Sequence, residues 1–211
     1  MTGVIKPYQT EQTNLIYNLL FCDDLKLYER HFQTVAASPW TELFAGIKDA
    51  ESLKKVISDP GNESRAKVLA FNELFRLGVK PAHKELLGII VEVGMDEGLD
   101  TLAAYADGTA RYINYTERMI VWESKDDSAI SSTMAELFEK GRDLVTKIGP
   151  WDKERLPQPA KGNVRISFLV SDGLYFGQGP MNVLFNDQMG GPILHKASEL
   201  MSLLVESALN K

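Results

Sequence analysis

A glycine-rich stretch near the C-terminal end of the sequence holds the residue types best suited to bind a ligand. "SDGLYFGQGPMNVLFNDQMGGPIL", residues 171–194, contains five of the sixteen glycines. Glycines let the backbone approach a ligand without a Cβ clash. Tyr175 supplies a ring and a hydroxyl, Gln178 an amide, and His195 a titratable group. The stretch is not a dinucleotide-binding motif, because Asn182 stands where that motif has its third glycine. It is not a P-loop either, because no Lys-Ser or Lys-Thr follows.

The second half of this stretch precedes a predicted helix and could hold a small anion. The free N–H groups at Gly190 and Gly191 would face such a ligand. Alternatively, the glycines only turn the chain, Pro192 is the first residue of the helix, and Tyr175 packs in a sheet. The candidate ligand-binding residues are Tyr175, Gln178, Gly190, Gly191 and His195. No catalytic residue, metal site or cofactor is assigned.

Other reactive side chains give weaker signals. The three histidines lack metal-ligand spacing, and there is no H-E-x-x-H motif. Cys22 is the only cysteine, which excludes an internal disulfide and favours a small buried side chain. Four carboxylates near the predicted hairpin ends lack EF-hand spacing and indicate solvated turns; they are Asp96, Glu97, Asp100 and Asp107.

Arginines and aromatic residues on the predicted strands allow two interpretations. They could line a groove for an acidic or aromatic ligand. Tyr and Trp on a sheet face also commonly pack against helices. The residues concerned are Arg111, Tyr112, Tyr115, Trp122, Arg165, Tyr175 and Phe176.

The charge distribution argues against nucleic acid as a partner. Residues 1–84 carry a formal net charge of +1 and residues 85–211 carry −7. The acidic part would repel phosphate backbones. There is also no apolar run long enough to span a membrane and no apolar signal-peptide core. We therefore expect a soluble cytoplasmic protein.

The order of predicted elements indicates an α+β fold. Residues 1–80 show helical spacing of apolar residues, and residues 86–123 are predicted to form up to four strands. A long helix, a second hairpin and a final helix follow. We expect a helical region, 1–80, and an antiparallel sheet region, 81–211, in the order β-β-β-β-α-β-β-α with helices packed on one face. The sequence leaves two arrangements open: the two regions are separate domains, or they form one compact domain together. The pairs Asp107-Gly108 and Asp172-Gly173 predict hairpin tips.

The segment 86–123, with the pieces "VEVG", "GLDTLAAYADG" and "ARYIN", resembles a family of uncharacterised bacterial proteins. The likeness extends weakly back through "SPWTELF" and "SRAKVLAFNELFRLG". The family has no assigned activity, so the resemblance implies no catalytic residue.

Two functions remain open from the sequence. The first is a non-enzymatic interaction or scaffold module, favoured by the lack of any catalytic motif, with a protein partner or self-association. The alternative is a small-molecule-binding protein or enzyme with its site between the sheet and the loops 149–162 and 177–192, because long loops are often functional.

Overall fold

The fold is described from a computed structural model, which covers residues 5–32, 37–123 and 127–210. Five helices come first: α1 (Glu11–Leu20), α2 (Leu25–Phe32), α3 (Trp40–Leu43), α4 (Ala50–Ser58) and α5 (Ser64–Arg76). Six strands and three further helices follow: β1 (Leu86–Met95), β2 (Gly98–Tyr105), β3 (Ala110–Ile113), β4 (Met119–Trp122), α6 (Ser128–Val145), β5 (Asn163–Val170), β6 (Gly173–Pro180), α7 (Met181–Leu184) and α8 (Gly191–Leu209). The predicted α+β class, with helices first and an antiparallel sheet after them, is confirmed.

The six strands form one antiparallel sheet in the order β4-β3-β2-β1-β5-β6. A meander builds β1 to β4, and α6 then carries the chain back so that β5 pairs with the free side of β1. Both predicted Asp-Gly pairs lie at hairpin ends. Gly108 has φ 88° and Gly173 has φ 140°, which are conformations that favour glycine.

Helices cover both faces of the sheet rather than one. We call the side that packs against α6 and α8 the C-terminal face, and the side that packs against α1 to α5 the N-terminal face. Because β1 is central and covered on both sides, its residues do not alternate between apolar and polar. Ile89 and Val91 point to the C-terminal face, whereas Ile90 points to the N-terminal face.

Each face of the sheet has its own hydrophobic core, and the helices on that face bury an apolar stripe in it. On α6, Asp127 accepts hydrogen bonds from the N–H groups of Ala129 and Ile130, which fixes the start of the helix. Its stripe, including Leu137 and Phe138, is buried against the sheet. On the other face, α5 buries Leu74 and ends before Gly78, which adopts φ 77°.

Candidate functional site

The sequence-predicted site residues do not meet in one place. Tyr175 and Gln178 are three residues apart on β6, and residues an odd number apart on a strand point to opposite faces. Tyr175 is fully buried on the C-terminal face, where its hydroxyl donates to Asp172 Oδ2 at 2.9 Å. The Gln178 side chain lies on the opposite face and its Oε1 accepts a hydrogen bond from Arg165 Nε at 2.8 Å. These two side chains therefore cannot line a common pocket.

The backbone N–H groups before α8 already have an acceptor. Asp187 Oδ2 accepts from the N–H of Gly190 at 2.7 Å and of Met189 at 2.8 Å. These hydrogen bonds hold the pKa of Asp187 below its usual range. Gly191 donates its N–H to the Asp187 carbonyl oxygen. The chain's own carboxylate thus occupies the position that the sequence predicted for a small anion.

His195 is exposed in the first part of α8. Its ring packs edge-on against the ring of Phe185, with 5.3 Å between the centroids. The segment predicted as the loop 177–192 is also more regular than expected, since β6 extends to Pro180 and α7 follows directly. The predicted loop 149–162 is mostly irregular, and its Arg155 donates to Asn18 in α1 and to Asp23, which follows α1.

A mainly apolar cleft lies between the sheet and α8, and we call it the methionine cleft. It has a volume of about 190 Å³. Strands β1, β2 and β3 form its floor with Val91, Val93, Leu102 and Tyr112. The opposite wall consists of Phe185, which follows α7, and α8 residues Leu194, Ala197 and Ser198. The cleft thus joins two parts of the chain that are distant in sequence, the strands β1 to β3 and the helices α7 and α8.

Three methionines line this cleft, and two of them are exposed to solvent. Met95 and Met181 are 37% and 39% exposed, and Met201 is partly buried. Methionine is unbranched and polarizable, so it adapts to apolar groups of different shape. The part of the cleft that these methionines line can therefore admit an apolar group without a rigid fit.

One end of the cleft is polar. The hydroxyl of Tyr112 donates to Asp100 Oδ2 at 2.9 Å, and the backbone N–H of Tyr115 donates to Oδ1 at 2.7 Å. Burial, together with the neighbouring Asp100 carboxylate, raises the pKa of Tyr112 well above its usual range. Tyr112 consequently stays neutral, and because Asp100 accepts its single hydroxyl proton, the Tyr112 oxygen is left as an acceptor.

The predicted arginine and aromatic groove is divided between the two faces. Tyr112 lines the methionine cleft, but Arg111 and Arg165 point to the N-terminal face. Arg111 pairs there with Glu123 at 2.6 Å. Arg165 is buried beside Glu92, with 3.5 Å between Nη1 and Oε2, and Tyr17 donates to the same carboxylate at 2.6 Å. This second cluster is filled by protein groups and ties α1 to the sheet.

The remaining candidates have structural surroundings. Cys22 is fully buried, and this burial raises the pKa of its thiol to about 12. It is therefore a poor nucleophile. Asp96 pairs with Lys161 at 2.6 Å on the surface. In the described ranges, no group of three His, Cys, Asp or Glu side chains is placed to hold a metal ion.

Sequence reasoning missed Met95, Met181, Met201 and Asp100 as parts of one site. Asp100 did carry a signal, because aspartate is depleted in strands and this residue lies inside the predicted strand segment "LDTLAAY". The three methionines gave no signal of a site in the sequence, since an isolated methionine is an ordinary core residue.

Comparisons with protein-family models, with curated proteins and with solved structures found no match for this chain. The resemblance of residues 86–123 to a family of uncharacterised bacterial proteins stays a prediction. None of the helices in the described part of the chain combines the length and the apolar character needed to cross a membrane.

Proposed function

We propose that this protein is a binding module that takes a small, mainly apolar ligand in the methionine cleft. The observation that carries the proposal is the cleft itself: an apolar cavity of about 190 Å³ with two hydrogen-bonding side chains at one end. Ligand sites combine apolar walls with a few placed polar groups. A drug-sized ligand usually occupies roughly 300–1,000 Å³, so the ligand here is smaller.

The proposal is for binding without catalysis. The polar side chains that line the cleft among the described residues are Asp100, Tyr112 and Ser198. An activated nucleophile needs a base within hydrogen-bond reach. Asp100 is hydrogen-bonded to Tyr112 and Tyr115 rather than to Ser198.

A matched pair of variants tests this function. Ser198 lines the cleft, whereas Ser202 lies one turn further along α8 and is exposed. A fragment screen by ligand-observed NMR should yield small apolar binders for the natural protein. Ser198→Leu should weaken them by at least about tenfold by filling the cleft, and Ser202→Leu should not. A screen without binders, or equal effects of the two variants, would contradict the proposal.

A second candidate is the protein interaction module that the sequence favoured. The observation in its favour is the exposed apolar surface around α7, where Val183 and Met189 are 57% and 49% exposed. Exposed methionine and valine beside a cleft suit a protein partner. Light scattering tests self-association: a dimer that Val183→Ser dissociates would support it, and a monomer at all concentrations would exclude a homodimer.

A further inference from the structure

We infer that the ligand of the methionine cleft carries a positively charged amine, which Asp100 binds through its carboxylate. The inference rests on the proposed function, and it adds the chemical class of the ligand. It is based on the position of Asp100, on the groups that contact its carboxylate, and on the apolar walls beside it.

Asp100 is the charged side chain that the described residues contribute to the cleft. It lies on β2 directly opposite Val93 of β1, so its carboxylate borders the apolar floor. A carboxylate next to apolar surface loses part of its hydration. Its attraction to a cation is then stronger than it would be in water.

The contacts of Asp100 orient its carboxylate without neutralising it. Tyr112 and Tyr115 each donate one hydrogen bond, and both donors are uncharged. Each carboxylate oxygen retains acceptor capacity. Among the described residues, the lysines and arginines that form ion pairs do so with other acids, and none of these pairs includes Asp100. The cleft therefore offers a negative charge that a ligand cation can complement.

The apolar and aromatic walls of the methionine cleft suit the uncharged part of such an amine. The rings of Tyr112 and Phe185 both line the cleft and can contact an ammonium group or an apolar body. The cavity of about 190 Å³ has room for a small aromatic or branched aliphatic amine. The negative end would repel an anionic ligand of the same shape.

Isothermal titration calorimetry with three similar compounds tests the inference on the natural protein. The compounds are 2-phenylethylamine, 2-phenylethanol and 3-phenylpropionate, which are cationic, neutral and anionic. The amine should bind about tenfold more tightly than the alcohol, because its hydrogen bond to Asp100 is charge-assisted. The acid should bind least. This comparison does not depend on any variant folding correctly.

Two aspartate variants locate the charge that is responsible. Asp100→Asn should remove the preference for the amine. Asp96→Asn makes the same change in net charge in the adjacent β1–β2 turn, outside the cleft, and should leave the preference intact.

The failures of the two proposals are distinguishable. If the alcohol binds as tightly as the amine, or if Asp96→Asn and Asp100→Asn act alike, the amine inference is overturned and the binding function stands. If the amine does not bind while the fragment screen yields neutral ligands of the cleft, the inference is overturned in the same way. If neither experiment yields a ligand of the cleft, both proposals fail.

Discussion

The buried pair of Glu92 and Arg165 fixes the irregular segment 149–162 to the sheet. Arg165 contacts Glu92 and also donates hydrogen bonds to the carbonyl oxygens of Leu156 and Pro157. Burial raises the pKa of Glu92, and the Arg165 guanidinium opposes this rise. Since both side chains are almost fully buried, each one depends on the other to compensate its charge.

Glu92→Ala should cost about 3–5 kcal/mol in the free energy of unfolding, because it leaves the Arg165 charge buried without its partner. Glu97→Ala, a few residues further along the chain and exposed, is the control and should change stability by less than about 0.5 kcal/mol. Urea unfolding measures both. Equal effects of the two variants would show that the pair does not support the fold.

Glu117 ties the start of α1 to the β3–β4 turn. Its carboxylate accepts hydrogen bonds from the hydroxyl and N–H of Thr10 and from the N–H of Gln9. The Thr10 side-chain hydrogen bond is the main cause that lowers the pKa of Glu117. A lowered pKa means that the ionised carboxylate stabilises the fold above the unfolded pKa, and that this stability is lost as the pH falls through the folded pKa.

Glu117→Gln should therefore be less stable than the natural protein at pH 7, and the difference should shrink at pH values below about 4. Urea unfolding across this pH range measures the difference. A difference that is constant with pH, or that grows in acid, would contradict the role of the ionised carboxylate.

At the scale of elements, the apolar stripes of the helices form the two cores. Leu137 on α6 and Leu74 on α5 are both buried, one on each face of the sheet. Replacing either with alanine should cost about 2–5 kcal/mol. Leu209→Ala is the matched control, because this leucine is 80% exposed at the end of α8 and should cost less than about 0.5 kcal/mol. A cost for Leu137→Ala as small as that of the control would contradict its placement in the core.

The junction between α7 and α8 depends on a close backbone approach. A Cβ on Gly191 would lie 2.6 Å from the Phe185 carbonyl oxygen, whereas a Cβ on Gly177 would meet nothing within 4 Å. Gly191→Ala should therefore destabilise the protein by about 1–3 kcal/mol and displace Phe185 from the wall of the cleft. Gly177→Ala is the control. Thermal unfolding compares them, and a neutral Gly191→Ala would show that the junction yields easily.

Local features of these elements could be predicted from the sequence. Gly108 and Gly173 act through the backbone conformation of one residue, so the two Asp-Gly pairs were sufficient to predict the hairpin tips. The sequence did not predict that β6 continues to Pro180. Glycine and proline weaken a strand pattern, but they are tolerated on an edge strand such as β6. Recognising that strand would have placed Tyr175 and Gln178 on opposite faces.

At the scale of the whole molecule, the two faces of the sheet differ in character. The N-terminal face contains the Glu92, Arg165 and Tyr17 cluster, and the C-terminal face contains the methionine cleft. The stripe on a helix predicts that one side is buried, but it does not say which surface covers it. Sequence patterns therefore could not assign α1 to α5 to the second face, nor bring Met95, Met181 and Met201 together.

The methionine methyl groups provide the most direct test of the central claim that the cleft binds a ligand. In protein with ¹³C-labelled methionine methyl groups, a binder from the fragment screen at saturation should shift the signals of Met95, Met181 and Met201. The signal of Met119, which packs on the N-terminal face, should not move. Unchanged signals from all three cleft methionines, or a shift of Met119 as large as theirs, would contradict the account.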